Sequence, residues 1–327
     1  MAKLGELYPK IFVTILPDKE QMHILTEIVA KRRVKKSFKE SFDTPTPDKR
    51  VIRYIENIIE ESPYHYITVI DTLSTQGAIP TCEMQKAKEY INTKNISLKC
   101  FNSDGWSYYS RGVGELLEEY EDLGVDLIYS PFVLLAHMFD EYVQKSCSLY
   151  ILADRNFLTL AIFKGSQLLY AKYIDMLKAK EEEIRSQENA QQLSLSGIDI
   201  HEISLDDEED LGSLIEMEDL DIAKDDLEDF VIEDTFGDSQ KSDGSVQKSD
   251  LLNRNYERFV LVQKALDEFY HSDLYKGEFV EHVYIADAIT LENDLKDLLE
   301  DELFLSVQIK KVDILSTTSY LARAEIL

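Results

Sequence analysis

Two stretches of this chain open in the same order, and that repetition limits its possible folds more than any single motif does. KIFVTIL at Lys10–Leu16, MHILTEIVA at Met22–Ala30 and the alternating Val34–Phe42 read as three strands joined by short turns, the third with one face exposed. Val51, Ile52, Ile55, Ile58 and Ile59 then form a helical stripe running to Glu61, where Pro63 stops it. Tyr66–Ile70 reads as a buried strand. The second stretch gives strands at Leu149–Ala153, Leu158–Phe163 and Leu168–Ile174, with a turn at Gly165–Ser166. A helix at Asn255–Tyr270 follows, with Phe259, Val262, Leu266 and Phe269 on one face. After it come a strand at His282–Ala286, a helix at Leu291–Leu299, a strand at Val307–Ile314 and a last helix at Thr317–Leu327. Between the two stretches the pattern gives a weak helix at Met84–Tyr90, a strand at Ser97–Cys100 and a helix at Gly114–Leu123. That helix turns Leu116, Leu117 and Tyr120 inward, and Gly124 stops it. Val125–Tyr129 reads as a strand, and Pro131–Val143 as an apolar helix with proline in its first turn. The order of elements repeats without a residue-level repeat, and two related α/β halves leave a cleft between them.

Charge marks off a third region. Residues 181–250 hold 24 acidic and 4 basic residues, so they carry −20 of the chain's −28. The expected organisation is a first lobe at 1–146, a second lobe at 147–178 and 251–327, and a mostly disordered acidic insert at 179–250. Apolar residues punctuate the insert at Ile198–Ile203, Leu211–Leu220 and Leu227–Phe236, as in segments that fold on a basic, apolar partner; a solubilising spacer is the alternative. Its densest acidic run is Asp206, Asp207, Glu208, Glu209 and Asp210, a candidate partner-binding site. The opposite candidate is the basic run Lys31, Arg32, Arg33, Lys35 and Lys36, continued by Lys39. It suits anionic lipid headgroups or nucleic acid, or it guards an exposed strand edge, or it receives the acidic insert. Net charge of −28 argues against general binding to nucleic acid.

Signals for catalysis are sparse. Cys82, Cys100 and Cys147 show neither metal-ligand spacing nor a paired framework, so inert thiols in a reducing cytosol are expected. The six histidines form no HxxH pair, and His137 on its apolar helix reads as a core residue. Ser74, Ser110 and Ser130 sit in no nucleophile elbow. Gly112–Gly114 is a lone GxG, read as a helix-entry turn. No apolar run reaches membrane-spanning length, and the opening MAKLGELYPKIF has no secretory leader pattern.

Cys147–Ile174 (CSLYILADRNFLTLAIFKGSQLLYAKYI), Arg254–Phe269, the YIADAI strand and the closing SYLARAEIL together resemble one family. That family is PilM of pilus assembly, with the related cytoplasmic domain of GspL, both within the actin-like ATPase fold. The resemblance implies an α/β, two-lobed actin-like fold, a duplicated ribonuclease H-like lobe carrying the acidic insert. Active members of this fold hold ATP phosphates in two glycine-bearing hairpin turns, where bare backbone amides approach the anion. Here the turns read Leu16-Pro17-Asp18-Lys19-Glu20 and Ala153-Asp154-Arg155-Asn156-Phe157, and Ala286-Asp287-Ala288 stands where the family has its adenosine-contacting glycines. Asp154 reads as a turn-former that bonds its own backbone. ATP binding, a catalytic residue, a cofactor and a metal are therefore not expected. The resemblance implies a cytoplasmic scaffold peripheral to the inner membrane, in a type IV pilus, type II secretion or DNA-uptake machine. Its partners would be a PilN-like membrane protein and the assembly ATPase, and a chain ending with the folded body fits PilM better than GspL. The alternatives are a divergent actin-like ATPase or sugar-kinase-like enzyme, and a cytosolic interaction protein that uses its insert.

Overall fold

The computed structural model describes residues 8–101, 105–142, 146–181, 185, 243–275, 277–289, 291 and 294–327. Asp206–Asp210 and most of the acidic region lie outside the described residues.

In the first lobe, β1 (Lys10–Pro17), β2 (Met22–Ala30) and β3 (Arg33–Phe42) precede α1 (Lys49–Ile59) and β4 (His65–Ile70). An excursion of β5 (Gln76–Ile79), α2 (Met84–Tyr90), β6 (Ser97–Phe101) and β7 (Trp106–Ser110) intervenes. Then come α3 (Val113–Glu119), β8 (Leu127–Tyr129) and α4 (Pro131–Met138). The second lobe runs β9 (Cys147–Ala153), β10 (Phe157–Lys164), β11 (Gln167–Asp175), α5 (Asp243–His271), β12 (His282–Asp287), α6 (Asp294–Leu303), β13 (Ser306–Lys311) and α7 (Ile314–Ile326). The two large sheets are ordered β3-β2-β1-β4-β8 and β11-β10-β9-β12-β13. In each, the first three strands run antiparallel and the last two parallel to the central one. The same order and strand senses, twice, make this a duplicated ribonuclease H-like lobe: the two-lobed actin-like fold.

Local chemistry explains the elements. Asp48 caps α1 by accepting the Arg50 and Val51 amides at 2.9 and 3.0 Å, and the stripe then buries Val51 and Ile55 against β1, β2 and β4. The α5 stripe buries Phe259, Val262, Leu266 and Phe269 under the second sheet. Each lobe's last helix crosses to the other sheet. Phe132, Leu134, Leu135 and Met138 of α4 pack with Tyr150, Leu152, Phe157 and Ala161 of the second lobe. Ala322 of α7 packs with Phe12 and Val29 of the first. Full burial of a side chain like Phe12 is worth ~2–3 kcal/mol, so this exchange ties the lobes together.

Several expectations change. β3 is exposed on both faces up to Ser41, because it is the sheet's outermost strand and among the described residues no helix covers it. β5 and β7 were not expected; they are short, and they form a separate three-stranded sheet with β6. Leu117 points outward, because it sits about 100° round α3 from Leu116, which faces the core. Tyr120, Leu123 and the left-handed Gly124 (φ 69°) close that segment. Ile314 starts α7 instead of ending β13, since Asp313 accepts the Ser316 amide at 3.3 Å and the Ser316 hydroxyl at 2.7 Å. His137 is only half-buried and stacks on Tyr320 of α7, ring centres 5.5 Å apart. Cys82 and Cys100 are not free thiols: Cys82, just after β5, and Cys100 on β6 are brought together by the small sheet, in which both strands pair with β7, as a disulfide with Cα atoms 5.2 Å apart. Cys147 is a buried free thiol, and burial pushes it up to about 11. Among the described residues no helix is long and apolar enough to cross a membrane.

Candidate functional site

A cleft of about 810 Å³ lies between the lobes, where the β1–β2 and β9–β10 turns meet. The two turns are built alike. Asp18 N–H donates to Gln21 O at 2.8 Å, and Asp154 N–H donates to Phe157 O at 3.0 Å. Asp18 Oδ1 accepts the Lys19 amide, and Asp154 Oδ1 accepts the Asn156 amide at 3.2 Å. In a phosphate-binding hairpin such amides stay open to an anion. Here each turn's own carboxylate caps them, and Pro17 has no N–H to offer.

The turns also hold each other. Asn156 Nδ2 donates to Asp18 Oδ1, and Lys19 Nζ reaches Asp175 Oδ1 at 2.5 Å. Tyr173 on β11 donates to Thr72 O at 2.9 Å, and Lys178 Nζ bonds Ser74 Oγ at 2.5 Å. Farther out, Lys39 pairs with Asp313. Burial raises Asp313, but the Lys39 and Ser316 hydrogen bonds outweigh it, and the carboxyl ends below its ordinary value. Asp154 is shifted the other way: burial raises it, Asp18 adds to the rise, and Arg258 opposes it. Arg258 is itself buried; it donates to Asn255 Oδ1 at 3.1 Å and to Asp154 O at 3.4 Å. Asp287, in the Ala286–Ala288 segment, is buried and accepts the Ile289 and Leu291 amides at 3.0 and 2.8 Å. In all three segments, at Asp18, Asp154 and Asp287, the chain's own carboxylates accept backbone amides.

A second, smaller cavity of about 320 Å³ is walled by Phe101 and Trp106 of the small sheet, Leu135 and Phe139, and Tyr150 and Phe163 of the second sheet. Trp106 stacks on Phe101 at 4.5 Å and meets Phe163 edge-on at 5.9 Å. Asp140 and Ser166 sit at its margin. The disulfide staples the wall that carries Phe101 and Trp106. Sequence reasoning missed this groove, because its walls come from four separated segments; the one available signal was the single tryptophan within the aromatic-rich Phe101–Tyr109 stretch.

The family model for DUF8341, a domain of unknown function, matches residues 149–327, more than half of the chain. The chain belongs to the DUF8341 family. A second model, for the domain of unknown function DUF8569, matches residues 8–136. No curated protein matches this DUF8341 chain. Among solved structures it is similar to a Bacteroides thetaiotaomicron protein with actin-like ATPase fold and unknown function, at 11% identity, 95% and 96% coverage of the two chains and TM-score 0.47. It is also similar to a chain of the PilM–PilN type IV pilus biogenesis complex (12% identity, 94% and 89% coverage, TM-score 0.46). A third is the ethanolamine utilization protein EutJ from Carboxydothermus hydrogenoformans (8% identity, 96% and 90% coverage, TM-score 0.41). With all three scores below 0.5, the fold assignment rests on the strand order itself.

Of the basic candidates, the structure brings Lys39 alone to the cleft; Lys31, Arg32, Arg33, Lys35 and Lys36 lie exposed at the tip of the β2–β3 hairpin. Gly112 is the residue before α3, and the Leu73 side chain packs directly over it, 2.3 Å from where a Cβ would sit. Ser130 caps α4 and donates to Gln76 Oε1 at 2.9 Å.

Proposed function

We propose that this DUF8341 chain is a non-catalytic scaffold that has kept the two-lobed fold and lost the nucleotide site. The capped and mutually bonded turns at Asp18 and Asp154 carry the reading. A triphosphate entering there would have to displace two carboxylates from backbone amides and break the Asp18–Asn156 and Lys19–Asp175 contacts, and it would then face acidic groups. The chain's docking function falls to the aromatic groove, whose size and apolar walls suit a short apolar segment of a partner. The setting is the cytoplasmic face of the inner membrane in a type IV pilus, type II secretion or DNA-uptake machine. The PilM-like pattern of Cys147–Ile174 supports it, and a PilN-like membrane protein and the assembly ATPase are the partners it implies.

Calorimetry with Mg-ATP tests the first half, and no heat beyond dilution is expected. Micromolar binding would restore the divergent-ATPase reading, which the size of the cleft favours. For the second half, Trp106 is the chain's single tryptophan and lies in the groove, so its fluorescence reports occupancy. A peptide from the cytoplasmic tail of a PilN-like protein should shift its emission, and Ala136→Phe, which fills the groove, should abolish the shift. An unchanged spectrum at saturating peptide would remove the groove from the proposal.

A further inference from the structure

The β2–β3 hairpin ends in a two-residue turn occupied by Lys31 and Arg32, and both adopt left-handed backbone, with φ of 53° and 61°. A turn of this kind is ordinarily filled by Asn-Gly, because any other side chain is strained there. Two long cations are instead held at strained positions. Arg33, Lys35 and Lys36 follow immediately, all exposed, and Val34 among them is 38% exposed. None of the five cations has an ion-pair partner among the described residues, whereas Lys39, farther down the strand, is already paired with Asp313.

The pairing register shows how the charges are arranged. Ile28 faces Lys36 and Val29 faces Val34, so Lys35 is the extra residue of a bulge. The bulge interrupts the ladder that an added peptide strand would need, which disfavours an extended peptide as the partner. The tip is convex, and none of the three described cavities includes any of the five cations. Edge protection calls for lysines along the strand; it does not call for cations inside the strained turn. Charges spread round a protruding tip, with no groove to shape a ligand, match a planar, diffuse array of anions. A chain of net charge −28 is repelled on balance by such a plane, so the exposed cationic tip is the part it would present to it.

We infer that the β2–β3 hairpin tip, through Lys31, Arg32, Arg33, Lys35 and Lys36, is a docking surface for anionic phospholipid headgroups. This deepens the scaffold reading by naming a membrane contact, and it rests on that reading only for which membrane is met.

The test is co-sedimentation of the full chain with vesicles of phosphatidylcholine alone or of phosphatidylcholine and phosphatidylglycerol in equal parts, at low and high salt. Sedimentation with the anionic vesicles, reversed by salt, is expected. Lys31→Asn combined with Arg32→Gly should weaken partitioning roughly thirtyfold. The same variant should melt no lower than the parent, because the turn is relaxed. Equal partitioning of variant and parent, or no preference for anionic vesicles, overturns the inference. Binding to duplex DNA in place of vesicles also overturns it and assigns the tip to nucleic acid. None of these outcomes touches the Trp106 or Mg-ATP experiments, so failure here is separable from failure of the scaffold reading.

Discussion

The two sheets share one strand order, yet their third strands meet opposite surroundings. β3 is exposed from Arg33 to Ser41 and carries cations. β11, its counterpart, packs against β5 of the excursion, buries Leu168, Tyr170 and Ile174, and sets Tyr170 against Phe269 and Tyr275 of the following segment. Topology therefore fixes where an edge falls, and the neighbouring excursion decides what that edge can hold. A covered edge can carry aromatic mass; a bare one needs charge to stay free of unwanted strand pairing.

Replacing Tyr170 by alanine should break the covered edge and cost about 3–5 kcal/mol, whereas Phe38→Ala on the bare edge should stay within ~0.5 kcal/mol. Urea denaturation of both variants measures the contrast, and equal losses would erase it. Contacts between the lobes sharpen the comparison further. Buried Glu27 accepts the Ser319 hydroxyl at 2.6 Å and lies 3.2 Å from Arg323. Glu27→Ala should cost about 2–3 kcal/mol, and Lys39→Ala, which breaks the exposed pair with Asp313, no more than ~1 kcal/mol.

The smallest effect separates the two hairpin turns by pH. Asp154 has its folded-state value raised, chiefly by burial, so the folded chain holds that proton more tightly than the unfolded one. Its contribution to stability is then most favourable in acid, and it falls as pH rises from the ordinary carboxylate range through the raised value. Asp154→Asn keeps an oxygen to accept the Asn156 amide and removes the charge. The variant should be slightly more stable than the parent at neutral pH, with the gap closing on acidification in thermal melts. A gap that widens in acid would show that the carboxylate is held by attraction, against the assigned cause.

Much of the fold was readable because the large sheets are coded locally. The apolar runs of β1, β9 and β12, the α1 and α5 stripes and the Gly124 stop each follow from a few consecutive residues. β5 was missed because its four residues, QGAI, carry no strand signal, and β7 because the five residues of WSYYS are too short a run to stand out; their pairing with each other, and of β7 with β6, sets them as strands. Asp18 and Asp154 stood out by their positions in turns, but their bonds to amides and across the cleft depend on two hairpins 138 residues apart meeting.

By itself the sequence determined the duplicated strand pattern, the placement of glycine-free turns and the concentration of negative charge in one region, since each is a property of neighbours along the chain. Tertiary structure alone decided that Cys82 meets Cys100, that four segments wall an aromatic groove, and that Lys39 is spent on Asp313 while Lys31, Arg32, Arg33, Lys35 and Lys36 have no ion-pair partner among the described residues. The reason is physical: side-chain type and short spacing set local conformation, whereas partners and exposure depend on which distant surfaces packing brings within a few ångströms.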